Sequence, residues 1–234
     1  MNPVVLFLMG AAAVGAIGYH QLVRARKRRE ELFTFAATYA FQFSRDDPFD
    51  LVHLPFDLFS LGDGRACENV LWGSWQGLDV RLADYWYFEE SHDSDGTTSR
   101  SYHRFSVAVT QFPWSVPHVS IKAEGFGSRL AGALGFRDLQ FESEAFNRTF
   151  RVAASDREFA YQVLDARMIQ WLEPLEGFGF ETLGRWLLVW TDRLDPGQLT
   201  ALLAGMEGFR EHVPRLVWNE YRPDALDHEE RSAP

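Results

Sequence analysis

Hydrophobic positions follow three different patterns along this chain. At the start they are continuous. Pro3 to Tyr19 is a run of 17 uncharged residues, at the short end of what crosses a bilayer as a helix. Leu22 and Val23 extend it past His20 and Gln21, which suit an interface. They next recur with helical spacing: Leu32, Phe33, Phe35, Ala36, Ala37 and Tyr39 crowd one broad face, predicting a helix over 30–39 that continues the first. From 66 to 123 the period falls to two, the mark of strands. Asn69–Trp75 and Leu78–Phe88 flank a turn at Gln76-Gly77. Phe105, Val107 and Val109 alternate with Arg104, Ser106, Ala108 and Thr110 as a half-buried strand, and Val119 and Ile121 mark one more.

The second half mixes both periods. A strand is predicted from about Phe146 to Val152. Ser155 and Glu158 read as a capping box opening a helix with Phe159, Val163, Ala166 and Ile169 on one face, stopped by Pro174. Phe178–Thr182 and Arg185–Thr191 read as an antiparallel pair joined by Leu183-Gly184. Asp195 and Pro196 open a last helix with Leu199, Leu202, Leu203, Met206 and Phe209 inward, which Pro214 ends or bends. Ser44–Asp50 reads as a linker, Gly127–Leu134 as a short helical turn, and the polar tail from Arg222 as disordered.

This order has hairpins and no βαβ alternation. It predicts an α+β fold: an N-terminal transmembrane helix, then a mainly antiparallel, strongly bent sheet with two packing helices, as in pleckstrin-homology-like domains. The expected divisions are an anchor at 1–23, a basic juxtamembrane segment, helix and linker at 24–50, a soluble domain at 51–221 and a tail at 222–234.

Charge decides how the first run is read. Arg24, Arg26, Lys27, Arg28 and Arg29 follow it, and no basic residue precedes it. A secretory signal has the reverse order, and the positive-inside rule keeps such a flank in the cytoplasm. The expectation is a single-pass protein of the cell membrane, N-terminus outside and domain in the cytoplasm, with those five cations on the membrane surface. Ala11 and Gly15 form a small-xxx-small pair that suits packing against a second copy, so a homo-oligomer is open. Removing the five cations from the chain's 23 leaves 18 against 33 acids, a net of −15 for the remainder. A domain that acidic argues against nucleic acid as a partner. Its single cysteine, Cys67, excludes an intramolecular disulfide.

Two stretches, GDGRACENVLWGSWQGLDVRLADYWY and FESEAFNRTFRVAASDREFAYQVLDARMIQWL, resemble bacterial single-pass membrane proteins of domain-of-unknown-function family 3137. The matching positions are Asn69-Val70, Gly73, Gly77, Asp84-Tyr85, Phe146, Phe150, Val152, Asp156, Ala160, Leu164 and Met168. The resemblance implies a fold and a membrane location. It carries over no catalytic residue.

Motifs for chemistry are sparse. Asp93-Ser94-Asp95-Gly96 matches the middle of an EF-hand loop, but Ser91 and Tyr102 stand where its outer ligands belong. Gly125-Phe-Gly127 begins a nucleotide fingerprint that Leu130 ends. Asp84, on an otherwise apolar strand face, is the most informative polar residue, because a buried carboxylate needs a partner. No catalytic, cofactor or metal residue is assigned, and no cofactor is expected. The leading expectation is a membrane-anchored cytoplasmic interaction or scaffold module that joins a protein partner or membrane complex. The first alternative is a ligand- or lipid-sensing domain with an aromatic pocket drawn from Trp72, Asp84, Trp86 and Phe105. The second is an enzyme in which Asp84, His92 and His103 converge.

Overall fold

The structure, a computed structural model, describes residues 3–93, 95–123 and 139–222, with side chains from Gly18 onward. The glycine-rich stretch 125–132, the turn expected at 127–134, the Ala11/Gly15 pair and the tail from 223 lie outside the described residues or side chains.

The first two apolar segments form one continuous helix, α1 (Pro3–Thr38), of 36 residues. Its two halves differ. Leu32, Phe35 and Ala36 are buried against the domain, whereas Tyr19, Leu22 and Val23 are 72%, 68% and 47% exposed. Among the described residues no helix is long and apolar enough to cross a membrane, and the apolar side chains of residues 3–17 are not among them.

Six antiparallel strands make one bent sheet: β1 (Gln42–Ser44), β2 (Gly64–Trp75), β3 (Leu78–His92), β4 (Thr98–Ala123), β5 (Phe150–Ala154) and β6 (Gly179–Asp192). The long β4 organises it. Its first half pairs with β3, Val119–Ala123 pair with β5, and β6 follows most of its length. The β2–β3 turn has positive φ at both Gln76 (48°) and Gly77 (78°), as a tight hairpin matching strand twist requires.

Both sheet faces are covered. One carries α1's inner half with α3 (Arg157–Val163), α4 (Ala166–Leu172), α5 (Thr200–His212) and α6 (Arg215–Glu220), packed around Phe180, Met206 and Phe209. The other is closed by residues 49–61, which bring Leu51, Phe56, Leu58 and Phe59 onto Tyr85, Phe105 and Trp190. The predicted linker thus leads into a second core layer. The strand expected to be half-buried is buried on both sides, with Ser106, Ala108 and Thr110 as enclosed as Phe105 and Val107.

Short capping side chains account for most other departures. Ser143 accepts from Phe146 N and starts α2 (Glu144–Thr149), so the strand begins at Phe150 rather than Phe146. Asp156, rather than Ser155, caps α3, accepting from Glu158 N and Phe159 N. Ser155 is held to β4 through His118 N. Asp165 accepts from Arg167 N and Met168 N and starts α4, dividing the single helix expected there. Among the described residues five short helices therefore follow the sheet's first strands where two were expected. Phe178–Thr182 and Arg185–Thr191 do not pair with each other. They are one strand, β6, bent at Gly184 (φ 58°), because β4 supplies a partner for both halves across a bulge between Gln111 and Val116.

Candidate functional site

Asp84 is buried at 3% exposure on β3, and its partners come from three other elements. Arg28 of α1 meets it through two hydrogen bonds, Nε to Oδ2 at 2.8 Å and Nη2 to Oδ1 at 2.5 Å. Arg28 also donates from Nη1 to the Leu194 carbonyl at 2.7 Å. Arg193, just past β6, donates to Oδ2 at 3.0 Å, and Asn69 of β2 at 2.9 Å. Asn69 reaches it because β2 leaves register between Glu68 and Leu71 and Asn69 adopts φ 52°, a left-handed conformation that Asn tolerates well. The fork of charge-assisted bonds fixes the orientation of α1 on the sheet.

This corrects the sequence reading of Arg28. It was grouped with the membrane-surface cations, yet its side chain is only 12% exposed and is committed to Asp84. Arg24, Arg26 and Lys27 are exposed. Arg26 pairs with Glu30 at 2.9 Å and Lys27 with Glu31 at 3.7 Å along the helix. Arg29 is half-buried and donates to the Ala25 carbonyl.

The four pocket candidates do not share a cavity. Asp84 and Trp86 face the side of the sheet that α1 covers, where Trp86 and Arg104 line an open cleft with Arg24 and Arg193. Phe105 lies in the core on the opposite face, and Trp72 packs there against Phe49 at 5.2 Å. Asp84, His92 and His103 do not converge either. On the β3–β4 ladder Asp84 stands opposite Ser106, His103 opposite Tyr87 and His92 opposite Thr98. At about 3.3 Å per residue the eight steps from Asp84 to His92 cover about 26 Å. His103 stacks on Tyr87 at 4.7 Å. At the hairpin tip Asp95 accepts from Thr97 N, and that bond holds its carboxyl below the usual range.

A second polar cluster was not anticipated. His118, Ser120 and Lys122 occupy alternate positions on β4, with Glu181 of β6 opposite Ser120 and Asp57 reaching in from the layer over the sheet. All five are buried. His118 Nε2 lies 2.9 Å from Glu181 Oε1, which also accepts from Asp57 N at 2.7 Å. Lys122 Nζ donates to Asp57 Oδ2 at 3.0 Å, while Asp57 Oδ1 stands 4.0 Å from His118 Nε2. Glu181 Oε2 and Ser120 Oγ have no hydrogen-bond partner among the described residues. Burial, more than any neighbour, pushes the Glu181 carboxyl above the usual range. The sequence signal was weak: His, Ser and Lys alternating with Val and Ile look like the wet face of an ordinary strand. Glu181, an acid between Phe180 and Thr182, carried the same kind of signal as Asp84.

No family model and no curated protein matches the chain. Among solved structures it is similar to the mycobacterial trehalose monomycolate transport factor A, TtfA, at 16% identity and a TM-score of 0.59, over 81% of this chain and 97% of that one. At that identity the likeness is one of fold: an α+β architecture with a mostly antiparallel, open, bent sheet and an N-terminal helix.

Proposed function

We propose that this protein is a membrane-anchored interaction module without catalytic chemistry. In this reading α1 crosses the bilayer from an external N-terminus and runs without a break into a cytoplasmic domain that docks a protein partner. The observation that carries it is the division of α1. Its outer half projects with Tyr19, Leu22 and Val23 exposed, while its inner half is fastened to the sheet by Arg28 on Asp84. A helix fixed this way sets the height and tilt of the domain above a membrane. Arg24, Arg26, Lys27 and Arg29 then face the inner leaflet, and the acidic domain is repelled from it. The resemblance of the 62–87 and 141–172 stretches to single-pass bacterial proteins supports the same location. The fold is shared with a transport factor, which suits a role beside transport. We read the bent sheet closed by α5 as pleckstrin-homology-like in arrangement.

Topology reporters test the placement. A C-terminal fusion active only in the cytoplasm should give signal, and one active only outside should give none. The opposite result sinks the proposed orientation, and a chain recovered wholly in the aqueous fraction sinks the anchor. Crosslinking and pulldown of the full chain from detergent should recover the same membrane protein partner from independent preparations, and should lose it when Asp84→Ala frees α1.

A further inference from the structure

We propose that Asp57, His118 and Glu181 form a binding site for one divalent transition-metal ion of the zinc class. One oxygen or nitrogen from each lies within 4.8 Å of the others, and all three residues are buried. Ligands around a tetrahedral zinc ion stand about 3.4 Å apart, given metal–ligand bonds of about 2.1 Å. The His118–Glu181 contact, a hydrogen bond at 2.9 Å, opens by about 0.5 Å to that spacing when an ion takes the hydrogen's place, and the 4.0 Å His118–Asp57 gap closes by about 0.6 Å with a small turn of the Asp57 carboxylate.

Two features separate this cluster from an ordinary buried ion pair. The first is the enclosed Glu181 Oε2, which has no hydrogen-bond partner among the described residues; Ser120, opposite Glu181 in the β4–β6 register, likewise leaves its Oγ without one. A buried carboxylate oxygen without a donor is costly, and a cation satisfies it. The second is charge. Among the described residues two carboxylates face one ammonium, so acids outnumber fixed cations at a buried site. Lys122 does not block the ion. It holds Asp57 Oδ2 and leaves Oδ1 turned toward His118, the kind of outer contact that orients a metal ligand. One imidazole with two carboxylates selects zinc, cobalt or manganese over magnesium and calcium, which prefer all-oxygen shells. Metal ligands bind in their deprotonated forms, so uptake weakens as pH falls.

The test uses the full chain in detergent, stripped with chelator, dialysed and titrated with Co2+ and then Zn2+. One ion per chain by elemental analysis is expected, with a visible cobalt absorption that zinc removes and a higher melting temperature in the loaded protein. Glu181→Gln, nearly isosteric, and Asp57→Asn should each weaken binding at least tenfold while circular dichroism stays native. His118→Ala should abolish the cobalt band, and His92→Ala on the exposed hairpin should leave it unchanged. A folded wild type that takes up no stoichiometric metal overturns the proposal, including when its stability still titrates through Glu181, since the cluster then holds a proton only. Undiminished binding in both Glu181→Gln and Asp57→Asn also overturns it. None of these outcomes depends on where the domain sits relative to a membrane.

Discussion

Two buried charge clusters in this molecule are built on opposite accounts. Around Asp84 two guanidinium groups and an amide converge on one carboxylate, and both its oxygens are bonded. Around Glu181 two carboxylates share one ammonium and one imidazole, and an oxygen is left over. The first cluster is complete and joins a helix to a sheet. The second is incomplete and lies inside the sheet and its covering layer. A satisfied buried network fixes structure, whereas an unsatisfied one retains the capacity to bind. The difference separates a fastening from a candidate site more clearly than burial, which both share.

The strongest test of that contrast is Asp84→Ala. It leaves Arg28 and Arg193 without their buried counter-charge and should destabilise the domain by about 3–5 kcal/mol in denaturant unfolding. Protease should then cut between α1 and β1 before the domain unfolds. A loss under about 1 kcal/mol would mean the junction is not a fastening.

Asn69→Ala probes the same cluster more gently. It removes one donor and puts a residue less tolerant of positive φ at 52°, so about 1–2 kcal/mol should be lost.

Glu181→Gln probes the other cluster in metal-free protein, and its signature is pH dependence. The folded carboxyl is raised above the ordinary value of 4.5, so the folded state holds its proton more tightly than the unfolded chain. That contribution is complete below the unfolded value and is lost as pH rises through the folded one. Wild type should therefore lose stability across that window, while Glu181→Gln should not. Melting curves at a series of pH values check this, and parallel profiles for the two proteins would contradict it.

The smallest effect belongs to the solvent-exposed pair. Arg26→Ala removes a contact to Glu30 between side chains 82% and 65% exposed, and should change stability by no more than about 0.5 kcal/mol. Against Asp84→Ala it measures what burial adds to a charge pair.

Much of the fold was legible locally. The β2–β3 hairpin followed from alternation around Gln76-Gly77. The last helix followed from its apolar face behind Asp195-Pro196, which form a short turn at Pro196–Gln198 before α5. Asp84 stood out because an acid on an apolar strand face requires a partner. Less legible was anything that depended on competition between neighbours. Ser155 and Asp156 both suit a helix cap, and β4 decided between them by engaging Ser155. Gly184 suits a hairpin as well as a bend, and β4 decided again by pairing with both halves of β6.

Period, capping residues and charge order are written in adjacent residues, so the sequence alone determined the helical start, the strand-rich middle and the apolar strand face on which Asp84 stands. Only the tertiary structure decided what those residues meet. Arg28 and Asp84 are 56 residues apart and Asp57 and Glu181 are 124 apart, so their meeting depends on how α1 and residues 49–61 close the two faces of the sheet. An ion pair leaves no periodic trace in the chain. Its energy arises where burial strips water from both partners, and that burial exists only once both core layers have formed.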